Sequence, residues 1–179
     1  MRVFNIPNTL TIIRIVIIPV FITAIIYNSY RFALYLFIIA GITDLLDGLM
    51  ARLTNQKTAL GTFLDPLADK FLLVSSFILF AAYGWIPKWL AITVISRDLI
   101  VVIGWFLLFM ITHNAQVETI FLGKLAIALQ LFALAYVLLH VNYVYLPDVP
   151  KSILFLTAII TGLSGLQYIY RGFKVSNAT

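Results

Sequence analysis

The chain has 179 residues, 63% of them hydrophobic and only 11% charged. Soluble domains average about 25% charged, so this balance and a mean hydropathy of +1.06 exclude an ordinary water-soluble domain and point to one integral membrane bundle. The absence of cysteine excludes disulfides and thiolate metal sites, and a net charge of +5, scattered through apolar sequence, suits anionic headgroups or phosphorylated ligands rather than nucleic acid.

A hydrocarbon core of about 30 Å takes ~20 residues of helix. Six stretches reach that length, near 9–27, 32–53, 60–83, 88–111, 121–141 and 151–171. The expected fold is all-α, six transmembrane helices around a polar metal-binding cavity open to the cytoplasmic side. Before the first span, the segment near 1–8 is expected to lie along the interface. It has no small-residue cleavage site after its first apolar run, so it is not read as a signal peptide. Turns are expected at Asn28–Arg31, Thr54–Lys57, Gly84–Pro87, from His113 onward, and from Asn142 to Pro150.

An even number of spans puts both termini on one side. Arg2, Lys57, Arg171 and Lys174 fall there, and the positive-inside bias assigns that side to the cytoplasm. Trp85, Trp89, Tyr143, Tyr145, Tyr168 and Tyr170 lie near span ends, as interfacial aromatic belts do. The whole of 1–179 reads as a single membrane domain.

Four of the seven acidic residues fall between positions 44 and 69, inside apolar sequence. A carboxylate in a bilayer costs several kcal/mol unless it is neutralised. Asp44 and Asp47 are three apart and Asp65 and Asp69 four apart, so each pair shares a helix face. A short connection makes the two helices antiparallel neighbours, which lets the pairs converge. Oxygen ligands favour Mg²⁺, Mn²⁺ or Ca²⁺, and two metals about 3.5–4 Å apart can clamp a phosphoryl group. Gly48, Ala51 and Gly61 leave room for a ligand or a helix at close range. Arg52 can balance charge or contact phosphate. Ion pairing with Arg52, Lys70 or Arg97 is the plain structural alternative, and it leaves carboxylates over. A cation transporter is another, and it gives no reason for the small residues at fixed offsets.

The order D-x-x-D-G-x-x-A-R, eight residues, then G-x-x-x-D-x-x-x-D resembles the signature of the CDP-alcohol phosphotransferases. Asp44, Asp47, Gly48, Ala51, Arg52, Gly61, Asp65 and Asp69 match every fixed position. The opening Asn5-Ile-Pro-Asn8-Thr-Leu-Thr11-Ile-Ile-Arg14 and the six-helix layout extend the resemblance over nearly the whole chain. It implies phospholipid biosynthesis, with a phosphatidyl group passing from CDP-diacylglycerol to an alcohol acceptor and CMP released. It implies two Mg²⁺ or Mn²⁺ ions held by Asp44, Asp47 and Asp65, with Asp69 as general base and member of the metal set. Gly48, Ala51 and Gly61 would border the cytidine pocket, with Arg52 beside it. It further implies a homodimer among membrane lipids, and the short chain suggests a bacterial inner membrane.

Within the family two groups share these motifs, the phosphatidylglycerophosphate synthases and the CDP-alcohol-type cardiolipin synthases. Their acceptors are glycerol-3-phosphate and phosphatidylglycerol. Both acceptors are anionic, so a basic pocket is expected, drawn from Arg14, Lys70, Arg97 and Lys124. The plain alternatives are a pairing of Arg14 with an aspartate, a salt bridge between Arg97 and Asp98, and an interfacial Lys124. The chain departs from the first group at two places. Ser96-Arg97-Asp98 stands for Ser-Arg-Glu, with no arginine in the following turns, and Gly123-Lys124-Leu-Ala126-Ile127-Ala-Leu-Gln130 lacks a second lysine and a threonine. Thr43, Ala59 and Asp98 look like the second group. Glycerol-3-phosphate is the expected acceptor and phosphatidylglycerol the alternative.

Overall fold

A computed structural model of the chain describes residues 6–54, 59–112, 121–143 and 145–176, with side chains described at 12–44, 70–104, 110, 121–143 and 145–172. Among the described residues there are six helices and no strand: α1 (Ile6–Ile26), α2 (Tyr30–Thr54), α3 (Ala59–Ala82), α4 (Lys88–Thr112), α5 (Phe121–Asn142) and α6 (Lys151–Ser176). The expected spans therefore appear as helices, with two differences at their ends. Helix α1 begins at Ile6, inside the segment expected at the interface, because a proline such as Pro7 is tolerated in a first turn. Helix α6 continues to Ser176, since nothing in Tyr170-Arg-Gly-Phe-Lys-Val breaks it. The expected turns at Thr54–Lys57 and from His113 fall mostly on 55–58 and 113–120, outside the described residues.

The chain forms two compact units. The first holds residues 1–79 and 138–146, the second 80–137 and 147–179.

In the first unit α1 packs on α2. The buried positions of α1 are Arg14, Ile17, Ile18, Phe21, Ala24 and Ile25, one stripe at helical spacing. On α2 the stripe runs through Ala33, Leu34, Leu36, Phe37 and Ala40. Phe21 and Phe37 meet with ring centroids 6.1 Å apart. The joint between the helices is tight because α1 ends on Asn28 in the left-handed region, φ 59°. Asn28 N–H donates to Ile25 O and Ser29 N–H to Ala24 O, the paired bonds that close a helix end around an αL residue. The Ser29 carbonyl then accepts the first bond of α2, from Ala33 N–H. The end of α5 joins this unit through Asn142, whose amide donates to Tyr30 O at 3.1 Å.

In the second unit the end of α3 closes in the same way with a glycine. Gly84 has φ 75°, its N–H donates to Ala81 O, and Trp85 N–H donates to Phe80 O. Helix α4 packs on α6, and Trp89 stacks on Phe155 with centroids 5.1 Å apart. The buried stripe of α6 is Leu154, Thr157, Thr161, Ser164 and Gly165, mostly small and polar, while Phe155, Leu156, Ile159, Leu163 and Leu166 are exposed. The buried polar groups are bonded locally or across helices. Thr157 donates to Ile153 O at 2.8 Å, and Gln130 Nε2 donates to Thr161 Oγ1 at 3.0 Å.

A small, polar inner face with a large apolar outer face is the reverse of a water-soluble helix, and it is how helices pack when lipid surrounds them. Among the described residues two helices are long and apolar enough to cross a membrane, Phe121–Asn142 and Lys151–Gly172, and Ile12–Ile26 and Lys70–Ala82 are shorter apolar helical runs.

Candidate active site

Helix α2 carries Asp44, Asp47, Gly48, Ala51 and Arg52, and α3 carries Gly61, Asp65, Asp69 and Lys70. The two acidic pairs thus sit on continuous helix at the i,i+3 and i,i+4 spacings that keep each pair on one face. The side chains of Asp47, Gly48, Ala51, Arg52, Gly61, Asp65 and Asp69 lie outside the described residues. Asp44 and Lys70 are described, and both are partly buried.

Asp44 continues the inner stripe of α2 one turn past Ala40, and Arg14 lies at the matching end of the α1 stripe. Their register brings Arg14 Nη1 to 3.0 Å from Asp44 Oδ1. Arg14 is fully buried, whereas the Asp44 side chain is 42% exposed. A buried guanidinium demands a counter-charge, and Asp44 supplies one. The pairing weighed from the sequence for Arg14 is therefore present, and its partner is Asp44. Among the described residues only one carboxylate oxygen of Asp44 is engaged, which leaves the other for a ligand. That fits a hard divalent cation, as does the donor set of four carboxylates with no thiolate in the chain.

In the second unit Arg97 sits on α4 and is 95% buried by its neighbours, with a relative exposure of 5%. Its Nη1 pairs with Asp98 Oδ1 at 2.7 Å. Its Nε and Nη2 both donate to the Ser164 hydroxyl on α6, at 3.2 and 2.9 Å. The Tyr168 ring lies 5.5 Å from the guanidinium carbon, within cation–π range. Two glycines make the space: a Cβ on Gly165 would stand 3.2 Å from Arg97 Cγ, and one on Gly123 would stand 3.3 Å from Arg97 Nη2. Lys124 follows Gly123 in the first turn of α5 and is exposed.

Ser164 and Tyr168 are functional neighbours of Arg97 that the motifs do not name. Their signal is the spacing Thr157, Thr161, Ser164, Tyr168, small or polar residues at one helical face inside an apolar run. A cavity of about 480 Å³ also opens in the first unit, lined by Asn28, Ser29, Tyr30, Arg31, Phe32, Val141 and Asn142. It lies at the start of α2, about 20 Å along the helix from Asp44 at 1.5 Å per residue, and so is separate from the aspartates.

A family model described as CDP-alcohol phosphatidyltransferase matches residues 4–164. The chain belongs to that family, whose members generally use divalent metal ions. Curated relatives named CDP-diacylglycerol--glycerol-3-phosphate 3-phosphatidyltransferase are similar over nearly the full length. Those of Shigella flexneri serotype 5b and Salmonella typhimurium are 33% identical over 172 residues, covering 93% of this chain and 93% of the relative. The one of Escherichia coli K12 is 32% identical over the same length and coverage.

Proposed function

We propose that this chain transfers the phosphatidyl group of CDP-diacylglycerol to glycerol-3-phosphate, giving phosphatidylglycerophosphate and CMP. The observation that carries this reading is the 33% identity over 93% of the chain to relatives named for that reaction. The matched aspartate signature supports it residue by residue.

Asp44, Asp47 and Asp65 hold two Mg²⁺ or Mn²⁺ ions, and Asp69 completes the set. When bound, such a pair spreads the negative charge of the diphosphate and of the leaving CMP. Arg14 keeps the Asp44 carboxylate charged and aimed, with one oxygen turned to the guanidinium and one open. Asp69 takes the proton of the acceptor hydroxyl as its oxygen bonds to the phosphorus nearer the diacylglycerol. The bond from that phosphorus to the bridging oxygen breaks, and CMP leaves with that oxygen. Gly48, Ala51 and Gly61 border the cytidine, with Arg52 beside it. Lys70, Arg97 and Lys124 supply positive charge for the anionic acceptor.

The domain is a single membrane bundle of six spans over 1–179, in a bacterial inner membrane, with both termini cytoplasmic and a homodimeric assembly. The family match running through both compact units supports one domain, and the apolar outer faces of α1 and α6 support insertion. One observation favours phosphatidylglycerol as a second acceptor. Ala126 is fully buried and Ile127 is apolar where the glycerol-3-phosphate group of enzymes carries a lysine and a threonine. Mass spectrometry of the lipid formed from CDP-diacylglycerol and glycerol-3-phosphate tests the main reading, which requires phosphatidylglycerophosphate as the product.

A further inference from the structure

Arginine has five N–H donors. Three of those on Arg97 are committed, Nε and Nη2 to Ser164 and Nη1 to Asp98. Two remain without a partner among the described residues, on a side chain only 6% exposed. Asp98 also cancels much of the guanidinium charge, so this arginine alone is a weaker anion site than an unpaired one would be.

The Tyr168 hydroxyl lies beside it. The point where a Gly123 Cβ would stand is 3.3 Å from the Tyr168 oxygen and 3.3 Å from Arg97 Nη2. Both groups therefore face the same small space, which glycine keeps open at the first turn of α5. No described residue takes a hydrogen bond from the Tyr168 hydroxyl, whose recorded contact is the ring over Arg97. Tyr168 is partly exposed, so a ligand can reach it. Across the same space α5 offers no side-chain donor at Ala126 or Ile127, while its helix N-terminus favours negative charge.

We infer that Tyr168 is an acceptor-binding residue of this chain: its hydroxyl and the two uncommitted N–H groups of Arg97 together bind the phosphate group of the acceptor. Ser164 and the tyrosine ring hold the guanidinium in place, and the hydroxyl supplies a donor that α5 lacks. Tyr168 lies beyond residue 164, where the family match ends, so that match does not assign it a role. The inference rests on the reading of the acceptor as an anionic, phosphate-bearing alcohol.

The test uses the purified full chain in detergent with CDP-diacylglycerol and Mn²⁺. Tyr168→Phe keeps the ring over Arg97 and removes only the hydroxyl. It should raise the KM for glycerol-3-phosphate about tenfold, the scale of one hydrogen bond to a charged group. The kcat and the KM for CDP-diacylglycerol should stay within about twofold, since a tenfold change is what a lost bond predicts. The shift in melting temperature induced by glycerol-3-phosphate, which needs no turnover, should shrink in the same variant. Gly123→Ala, which fills the shared space, should give the same signature and serves if Tyr168→Phe fails to fold. An unchanged acceptor KM and unchanged thermal shift in both variants would overturn the inference, as would a parallel rise in both KM values. If the unaltered chain uses phosphatidylglycerol and not glycerol-3-phosphate, the proposed acceptor is wrong. The same comparison run with phosphatidylglycerol then decides the role of Tyr168 separately.

Discussion

Arg14 on α1 and Asp44 on α2 are joined by a 3.0 Å contact between Nη1 and Oδ1, with the guanidinium wholly buried and the carboxylate half open. The pair ties the first helix to the first aspartate of the signature. It also gives Asp44 two tasks, counter-charge to Arg14 and ligand to a cation.

Asp44→Asn should therefore lose stability as well as activity. Leaving a buried charge without its partner costs about 3 kcal/mol, and half-exposure of Asp44 lowers this to about 2 kcal/mol. In a chain of this size that is a drop in melting temperature on the order of 5 °C. Thermal unfolding in detergent measures it. An Asp44→Asn protein as stable as the unaltered chain would show that the pair does not carry the charge of Arg14.

Removal of metal should stop turnover without unfolding the chain. Activity should vanish in EDTA and return with Mg²⁺ or Mn²⁺, and Asp47→Asn should be inactive at any metal concentration. A chain fully active in chelator would contradict the carboxylate site.

Asp69→Asn separates chemistry from binding. The variant should fold and retain CDP-diacylglycerol, yet turn over at least ~10²-fold more slowly, the usual contribution of a positioned base. Equilibrium binding of the donor and single-turnover CMP release read the two effects apart. A near-normal rate would remove Asp69 from the base role.

Glycine has opposite meanings at two positions. Gly84 has φ 75° with open space around a built Cβ, so Gly84→Ala meets strain and no clash. It should cost about 1 kcal/mol. Gly104 lies within α4, also with open space, and Gly104→Ala should stabilise by roughly 0.5–1 kcal/mol. Melting temperatures that move in opposite directions are the expected result. A fall in both would mean that α4 needs the bare glycine surface.

The helices were legible because each is a long apolar run and the polar clusters between them are short. The ends were less so. Pro7 reads as a break, yet in a first turn it has no N–H to lose, and α1 starts before it. The turn at Asn28 was legible as a polar cluster, but its left-handed backbone is a property of the helix end and not of composition. A buried arginine in apolar sequence announces that it needs an acid. That the acid is Asp44 depends on the register of α1 against α2, which no single helix encodes. Tyr168 looks interfacial by its place near a helix end. Its contact with Arg97 joins residues distant in sequence, and only the packing of α6 on α4 brings them together.

The most direct test of the central claim is CMP release by the purified protein from CDP-diacylglycerol and Mn²⁺, with glycerol-3-phosphate and phosphatidylglycerol supplied separately. The account predicts release with glycerol-3-phosphate and none above background with phosphatidylglycerol. Release with phosphatidylglycerol alone would contradict it and make the chain a cardiolipin-forming member of the same family.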